Sequence, residues 1–221
     1  LNELQALGTH NSYHILAGPP ADPALDYVHD PLPTQLDLGV RHFELDVHRA
    51  VDGTVMVYHI KTVDEASSCL TLAECLGQIR DWSDDHPDHH ALFVIIEPKD
   101  DLARIAVETG NDPAAFGELL WDDHIADIDP VIHAAWPDRL LTPKVLRGDA
   151  ASLREAIAEG WPTIDDTRQQ LVVVLNDTSA LRDEYAAVAD PACFVFGEVD
   201  DDALFLKADN PRSEPARVAA G

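Results

Sequence analysis

His42-Phe43-Glu44-Leu45-Asp46-Val47-His48 alternates strictly between polar and apolar side chains. A period of two predicts a β-strand. His42, Glu44, Asp46 and His48 then share one face, and Phe43, Leu45 and Val47 take the other, against a layer of helices. Charged groups on a barrel's inward face are costly unless they are paired or bind a cation. Glu44 and Asp46, one face-repeat apart, can hold the same ion.

Three further apolar runs end in reactive side chains. Leu4-Gln5-Ala6-Leu7 leads into Gly8-Thr9-His10-Asn11-Ser12-Tyr13, Val55-Met56-Val57-Tyr58 ends in His59, and Leu92-Phe93-Val94-Ile95-Ile96 ends in Glu97-Pro98-Lys99. In a parallel barrel the carboxyl ends of the strands form one rim, and active sites are built there. The sequence therefore predicts an α/β fold, an irregular (β/α)8 TIM-type barrel, in a single catalytic domain over residues 1–221. Such a barrel takes about 250 residues, so we expect one or two C-terminal strands to be absent and the chain to be a fragment. Only a short Asp52-Gly53 turn separates the second run from the third, too little for a helical crossover. The return must be extended, and the barrel irregular there.

The chain carries 41 acidic against 15 basic residues, a formal charge of -26. This surface argues against nucleic acid, whose affinity rests largely on Lys and Arg. No apolar run reaches the length of a membrane span, and no basic n-region and h-region open the chain. A secreted, monomeric protein is expected. Cys69 and Cys75 could close a short disulfide in an oxidising compartment, while Cys193 reads as a buried apolar residue.

Helices are expected over Thr34–Gly39, Thr71–Ser83 (capped by Thr71 with Glu74 three residues on), Pro113–Trp121, Pro130–Trp136, Ala151–Glu159 and Ala180–Val188. Leu171–Leu175, Cys193–Phe196 and Ala203–Lys207 read as strands, the last two too close for a helical crossover. The proline-rich loop from Ala17 to Pro33 should wall one side of the site. Asp84–His90 precedes a strand, which places it on the opposite barrel face as a solvated loop.

Asn11, Glu44, Asp46 and Glu97 offer hard oxygen donors, which favour Ca2+, with Mg2+ the lesser alternative. His10 and His59 can take or give a proton near neutral pH. Together they suit metal-assisted attack on a phosphodiester.

Gly8-Thr9-His10-Asn11-Ser12-Tyr13, Phe43-Glu44-Leu45-Asp46, Val57-Tyr58-His59 and Ile96-Glu97-Pro98-Lys99, in that order, resemble the catalytic region of calcium-dependent phosphoinositide-specific phospholipases C, above all their bacterial secreted branch. The resemblance implies cleavage of a phosphoinositide lipid at a membrane surface to diacylglycerol and a cyclic inositol phosphate. His10 would stabilise charge on the phosphate, and His59 would be the general acid on the leaving oxygen. Asn11, Glu44, Asp46 and Glu97 would hold Ca2+, with Glu97 or a nearby carboxylate as base. Lys99 and Lys207 would contact phosphate or inositol. Lys144 reads as a surface residue. Asn176 and Asp177 end a strand within reach of substrate, and His48 and Arg49 would stand behind the ligands. Two other readings stay open: a glycerophosphodiester phosphodiesterase on a related barrel, although Thr9-His10-Asn11 replaces its usual His-Arg-Gly opening, and a silent Ca2+-binding domain.

Overall fold

The computed structural model describes residues 1, 3–197, 202–207 and 212. Its sheet contains strands β1 (Leu7–Thr9), β2 (Val40–Ala50), β3 (Val55–Val57), β4 (Leu92–Pro98), β5 (Glu118–Leu119), β6 (Leu171–Leu175) and β7 (Phe194–Val195). The central path runs β1-β2-β4-β6-β7, every neighbouring pair parallel. Among the described residues the two ends of this path do not pair, so the TIM-type barrel is open. Helices are α1 (Leu32–Asp37), α2 (Leu72–Asp85), α3 (Asp101–Glu108), α4 (Ile128–Ala135), α5 (Pro143–Arg147), α6 (Leu153–Ala156) and α7 (Ala180–Ala186).

The expected alternation sets the two faces. Phe43, Leu45 and Val47 of β2, Leu92, Val94 and Ile96 of β4, and Leu171, Val173 and Leu175 of β6 are buried with the helix residues Leu72, Leu76, Ile79 and Ile132 in one core. A smaller cluster on the inner face contains Val172, Val174, Phe194 and Phe196. Beside it opens a cavity of about 490 Å³, lined by Phe93, Ile95 and Phe205 and, at its polar end, by Glu44, Asn176 and Lys207. β1 approaches β2 so closely that a Cβ on Gly8 would lie 3.0 Å from His42 Nδ1, so a larger residue there would push on the His42 ring.

β3 corrects the parallel reading. It is an antiparallel hairpin partner of β2, with Val47 opposite Val57 and Arg49 opposite Val55. β4 ends opposite Val47, so β2 overshoots the rim. β3 lies on the β1 side of this extension, because β4 and β5 occupy the other edge. The hairpin thus carries His59 back down to the rim, beside the loop that follows β1.

Several boundaries also differ. Pro113–Phe116 is only a 3-10 turn, closed by Gly117 at φ 78°. Glu118 then enters β5 instead of extending a helix, because it pairs with the overshooting end of β2. The helix expected over Ala151–Glu159 shrinks to α6, and that over Pro130–Trp136 shifts to α4. α1 starts earlier than expected, and Gly39 at φ 96° follows its end. Phe205 forms a parallel bridge to Phe196 in place of a full strand over Ala203–Lys207. α2 keeps its expected cap, Thr71 Oγ1 accepting from Glu74 N–H, and the Cys69–Cys75 disulfide spans that cap. Cys193 is a buried free thiol, as expected. The Asp84–His90 run is not simply solvated: His86 stacks on Trp82, and buried His89 bonds to Ser83.

Candidate active site

Parallel register sets Asp46, Glu97 and Asn176 side by side, and the loop after β1 brings Asn11 to them. Asp46 lies opposite Glu97, and Leu175 opposite Ile96, which puts Asn176 next to Glu97. The loop after β1 is drawn in by Ser12 N–H donating to the Glu44 carbonyl at 3.0 Å and Asn11 N–H donating to Glu44 Oε2 at 2.6 Å. Asn11 accepts a positive φ of 47° to make that turn.

One oxygen each from Glu44, Asp46 and Glu97 lies within 4.8 Å of the others. Glu44 and Asp46 are buried. Burial first, then the charge of Glu44, pushes Asp46 up to about 7; burial likewise raises Glu44. Lys99 lies among them, bonded to Glu97 and 3.7 Å from Asp46. Burial opposes its charge, but Asp46 and Glu97 outweigh this and raise its pKa.

The donor set fits a hard cation. Glu44 Oε1 is buried with no hydrogen-bond partner. One end of the Asn11 amide lies 3.1 Å from Asp46 Oδ2 and 3.2 Å from Glu44 Oε2, and the other lies 2.7 Å from Tyr27 OH. With its nitrogen inward the amide donates to both carboxylates. With its oxygen inward, four oxygens converge, an arrangement that a cation reconciles.

His59 is half-buried, and its Nδ1–H donates to Asp64 Oδ2 at 3.0 Å. Asp64 also accepts from Nε2–H of His14, at 2.9 and 3.0 Å. His10 stands exposed at the end of β1, its carbonyl accepting from His29 Nε2–H at 2.9 Å. The wall expected from the proline-rich loop is thus present, made by Tyr27 and His29. Behind His59, the Tyr58 ring stacks on His48 at 3.8 Å, and Tyr58 OH donates to Glu118 at 2.6 Å. Glu118 also pairs with His48 at 2.7 Å. His48 therefore backs the hairpin, whereas Arg49 pairs with Asp127 away from the ligands.

Asn176 donates to Glu97. Lys207 lines the cavity, and Lys144 is a surface ion-pair partner of Asp190. Asp177 caps the segment into α7 through Ser179 N–H, not the site. Sequence reasoning passed over Asp64, His14, Tyr27, Tyr13 and Glu118. Tyr13 OH donates to Asp46 Oδ2 at 2.9 Å. None of the five ends a parallel strand, which was the signal used to find the others.

A family model described as phosphoinositide phospholipase C, Ca2+-dependent, matches residues 1–56 and 51–220. The chain belongs to that family. Among solved structures it is similar to a Ca2+-dependent phosphatidylinositol-specific phospholipase C from Streptomyces antibioticus, at 22% identity and TM-score 0.57, over 87% of this chain and 67% of that one. A calcium-dependent phosphoinositol-specific phospholipase C from a Pseudomonas species matches at 22% identity and TM-score 0.54, over 76% of this chain and 59% of that one. Comparison with curated protein sequences found no match. At these identities the structures establish the fold alone. The expected family and the α/β barrel class are borne out.

Proposed function

We propose that this chain cleaves phosphatidylinositol in a Ca2+-dependent reaction, releasing diacylglycerol and a cyclic inositol phosphate. The observation that carries the reading is the meeting of two sets of side chains on one rim: three converging carboxylates with Asn11, and a histidine, His59, backed by Asp64. Asn11, Glu44, Asp46 and Glu97 would hold the ion. When bound, Ca2+ supplies positive charge that lowers the pKa of the inositol 2-hydroxyl and steadies the phosphate.

The chain's own residues do the rest. Glu97 takes the proton of the 2-hydroxyl as its oxygen bonds to phosphorus. His59 Nε2 delivers a proton to the diacylglycerol oxygen as the phosphorus–oxygen bond breaks, and its Nδ1–H stays on Asp64. His10 stabilises the growing charge on a non-bridging oxygen. Lys99 and Lys207 engage phosphate or inositol oxygens. Water opens the cyclic product with the proton roles reversed.

The substrate lies in a lipid surface. No helix among the described residues is long and apolar enough to cross a membrane. Ile60 and Val63, exposed beside His59, favour contact with lipid at the rim. The disulfide favours a secreted protein.

The test is release of water-soluble inositol phosphate from phosphatidylinositol vesicles, with Ca2+ and with EGTA, beside His59→Ala. Release that needs Ca2+ and is lost in the variant supports the reading. Absence of release from a folded, Ca2+-binding protein overturns it in favour of a silent binding domain.

A further inference from the structure

One continuous chain of contacts joins the proposed metal ligand Asn11 to the proposed acid His59. The Asn11 amide meets Tyr27 OH at 2.7 Å. The Tyr27 ring stacks on His14, with centroids 4.2 Å apart. His14 donates to Asp64, and Asp64 accepts the Nδ1–H of His59. Asn11 and His14 are fully buried, and Asp64 nearly so. The strap carrying Tyr27 is pinned to the loop after β1 by His29, whose backbone N–H donates to the His14 carbonyl at 2.9 Å and whose ring donates to the His10 carbonyl.

We propose that Tyr27 and His14 are positioning residues: Tyr27 sets which end of the Asn11 amide faces the metal, and His14, through Asp64, fixes the ring and tautomer of His59. The proposal rests on the reading above, that Asn11 holds Ca2+ and His59 gives the proton.

A tyrosine hydroxyl both donates and accepts. With the Asn11 oxygen turned toward a cation, Tyr27 accepts from the outward-facing amide nitrogen. With the nitrogen turned toward bare carboxylates, Tyr27 donates to the outward-facing oxygen. Phenylalanine removes the partner in both states, but the states suffer unequally. In the metal-free state the nitrogen still donates to Glu44 and Asp46. In the metal-bound state the buried amide nitrogen loses Tyr27 OH, its acceptor, and an unpaired buried donor is costly. Tyr27→Phe therefore biases Asn11 toward nitrogen-inward and opposes the metal. Partners behind a ligand typically change metal affinity by about 10- to 100-fold.

The His14 end works on a different atom. Two imidazole N–H groups converge on one carboxylate. With His14 in place, Asp64 is held where it can receive Nδ1–H of His59, which leaves Nε2 free to face the substrate. Without His14, Asp64 loses one of the two donors that hold it, and the His59 ring can exchange tautomers.

Two measurements test this on the intact chain. Titration calorimetry with CaCl2 should show Tyr27→Phe weakening Ca2+ binding about tenfold or more, with its melting temperature in EGTA close to that of the unchanged protein. Nitrogen-15 spectra of the histidine rings should show neutral His59 as the Nδ1–H tautomer, and His14→Gln should mix in the Nε2–H form. Unchanged Ca2+ affinity in Tyr27→Phe, or an Nε2–H tautomer for His59 in the unsubstituted protein, overturns the proposal. A His59 that stays wholly Nδ1–H in folded His14→Gln also overturns it, and if that variant fails to fold, His14→Phe, which keeps the stacking on Tyr27 but has no N–H for Asp64, carries the same measurement. A protein that binds Ca2+ yet releases no inositol phosphate sinks the phospholipase reading while leaving both positioning measurements to stand. A protein that binds no Ca2+ overturns the metal reading and the role of Tyr27 together.

Discussion

Replacing Asp46 with asparagine should stabilise the metal-free protein and abolish its response to Ca2+. Asp46 is 2% exposed, and burial followed by the charge of Glu44 raises its pKa from 3.8 to about 7. At about 1.4 kcal/mol per pH unit, holding it ionised in the fold costs roughly 4 kcal/mol. The folded state keeps a proton that the unfolded chain has already lost. The contribution of Asp46 to stability in EGTA is therefore greatest below the ordinary aspartate range and falls as pH rises from about 4 to about 7. Asparagine has the same shape and keeps an oxygen for the Tyr13 hydroxyl. Its amide gives Glu44 or Glu97 a donor, but it loses the attraction of Lys99. We expect a net gain of roughly 2 kcal/mol at pH 8, which for a domain of this size is about 5 °C in melting temperature. Calorimetric melts of both proteins at pH 8 and pH 4.5, in EGTA and in CaCl2, read this directly. The gain should shrink at pH 4.5, where the unsubstituted Asp46 is itself protonated. Ca2+ should raise the melting temperature of the unsubstituted protein at pH 8 by binding its folded state, and leave Asp46→Asn unmoved. A variant that melts lower in EGTA at pH 8, or that Ca2+ still stabilises, would refute the description of this carboxylate as a strained metal ligand.

Other perturbations separate the remaining parts of the site. His59→Ala should lower inositol phosphate release about 10²- to 10⁴-fold, the usual worth of a positioned proton donor, with Ca2+ affinity unchanged by calorimetry. Lys99→Met should lose turnover on vesicles yet bind Ca2+ at least as tightly, because it removes a cation that pairs with two of the proposed ligands; weaker Ca2+ binding would count against that competition. Glu118→Ala leaves His48 and Tyr58 without their shared carboxylate and should destabilise the fold by about 3 kcal/mol in urea melts. Removing the Cys69–Cys75 link by a double alanine substitution should cost about 2 kcal/mol on the chain-entropy scale for so short a loop, and reduction of the unsubstituted protein should lower its melting temperature similarly.

How legible the sequence was depends on the period of each segment. The β2 alternation foretells its buried Phe43-Leu45-Val47 face and its carboxylate face, because a strand's side chains must point opposite ways. β4 and β6 read as cleanly, since five apolar residues in a row suit a strand covered on both faces. Thr71 and Glu74 mark the start of α2 through a bond between neighbours in sequence. The direction of β3 was harder to read. An Asp52-Gly53 turn says that the chain returns, and reading four runs as one parallel rim obscured that a return this short must be antiparallel. Glu118 escaped for a different reason. A helix was read through Gly117, and the pull of β2, His48 and Tyr58 on that residue is a tertiary effect with no local signature. His14 and Asp64 meet across 50 residues, and no spacing rule reaches that far.

The antiparallel turn explains how a parallel sheet can place the proposed acid opposite the proposed metal ligands. Parallel neighbours deliver their reactive ends in a row, as Asp46, Glu97 and Asn176 show, and a row alone offers only one wall. β2 runs past the rim, and β3 doubles back along the edge that β1 leaves free. His59 therefore arrives from above, on a turn fixed by Asp64 N–H donating to the Ile60 carbonyl at 2.8 Å. The same turn exposes Ile60 and Val63. A lipid headgroup that reached the carboxylates would then have its glyceryl oxygen next to the segment proposed to meet the lipid. The overshoot has to be paid for at its unsupported end, where the β2 extension has lost β1 and β4 as neighbours. β3 and β5 replace them, and the His48–Glu118–Tyr58 cluster locks the three strands together. Loosening that cluster should therefore reach the chemistry through His59 and leave the carboxylates in place: Glu118→Gln, milder than alanine, should lower turnover more than it lowers Ca2+ affinity. Equal losses in both would mean that the hairpin and the metal site move as one body.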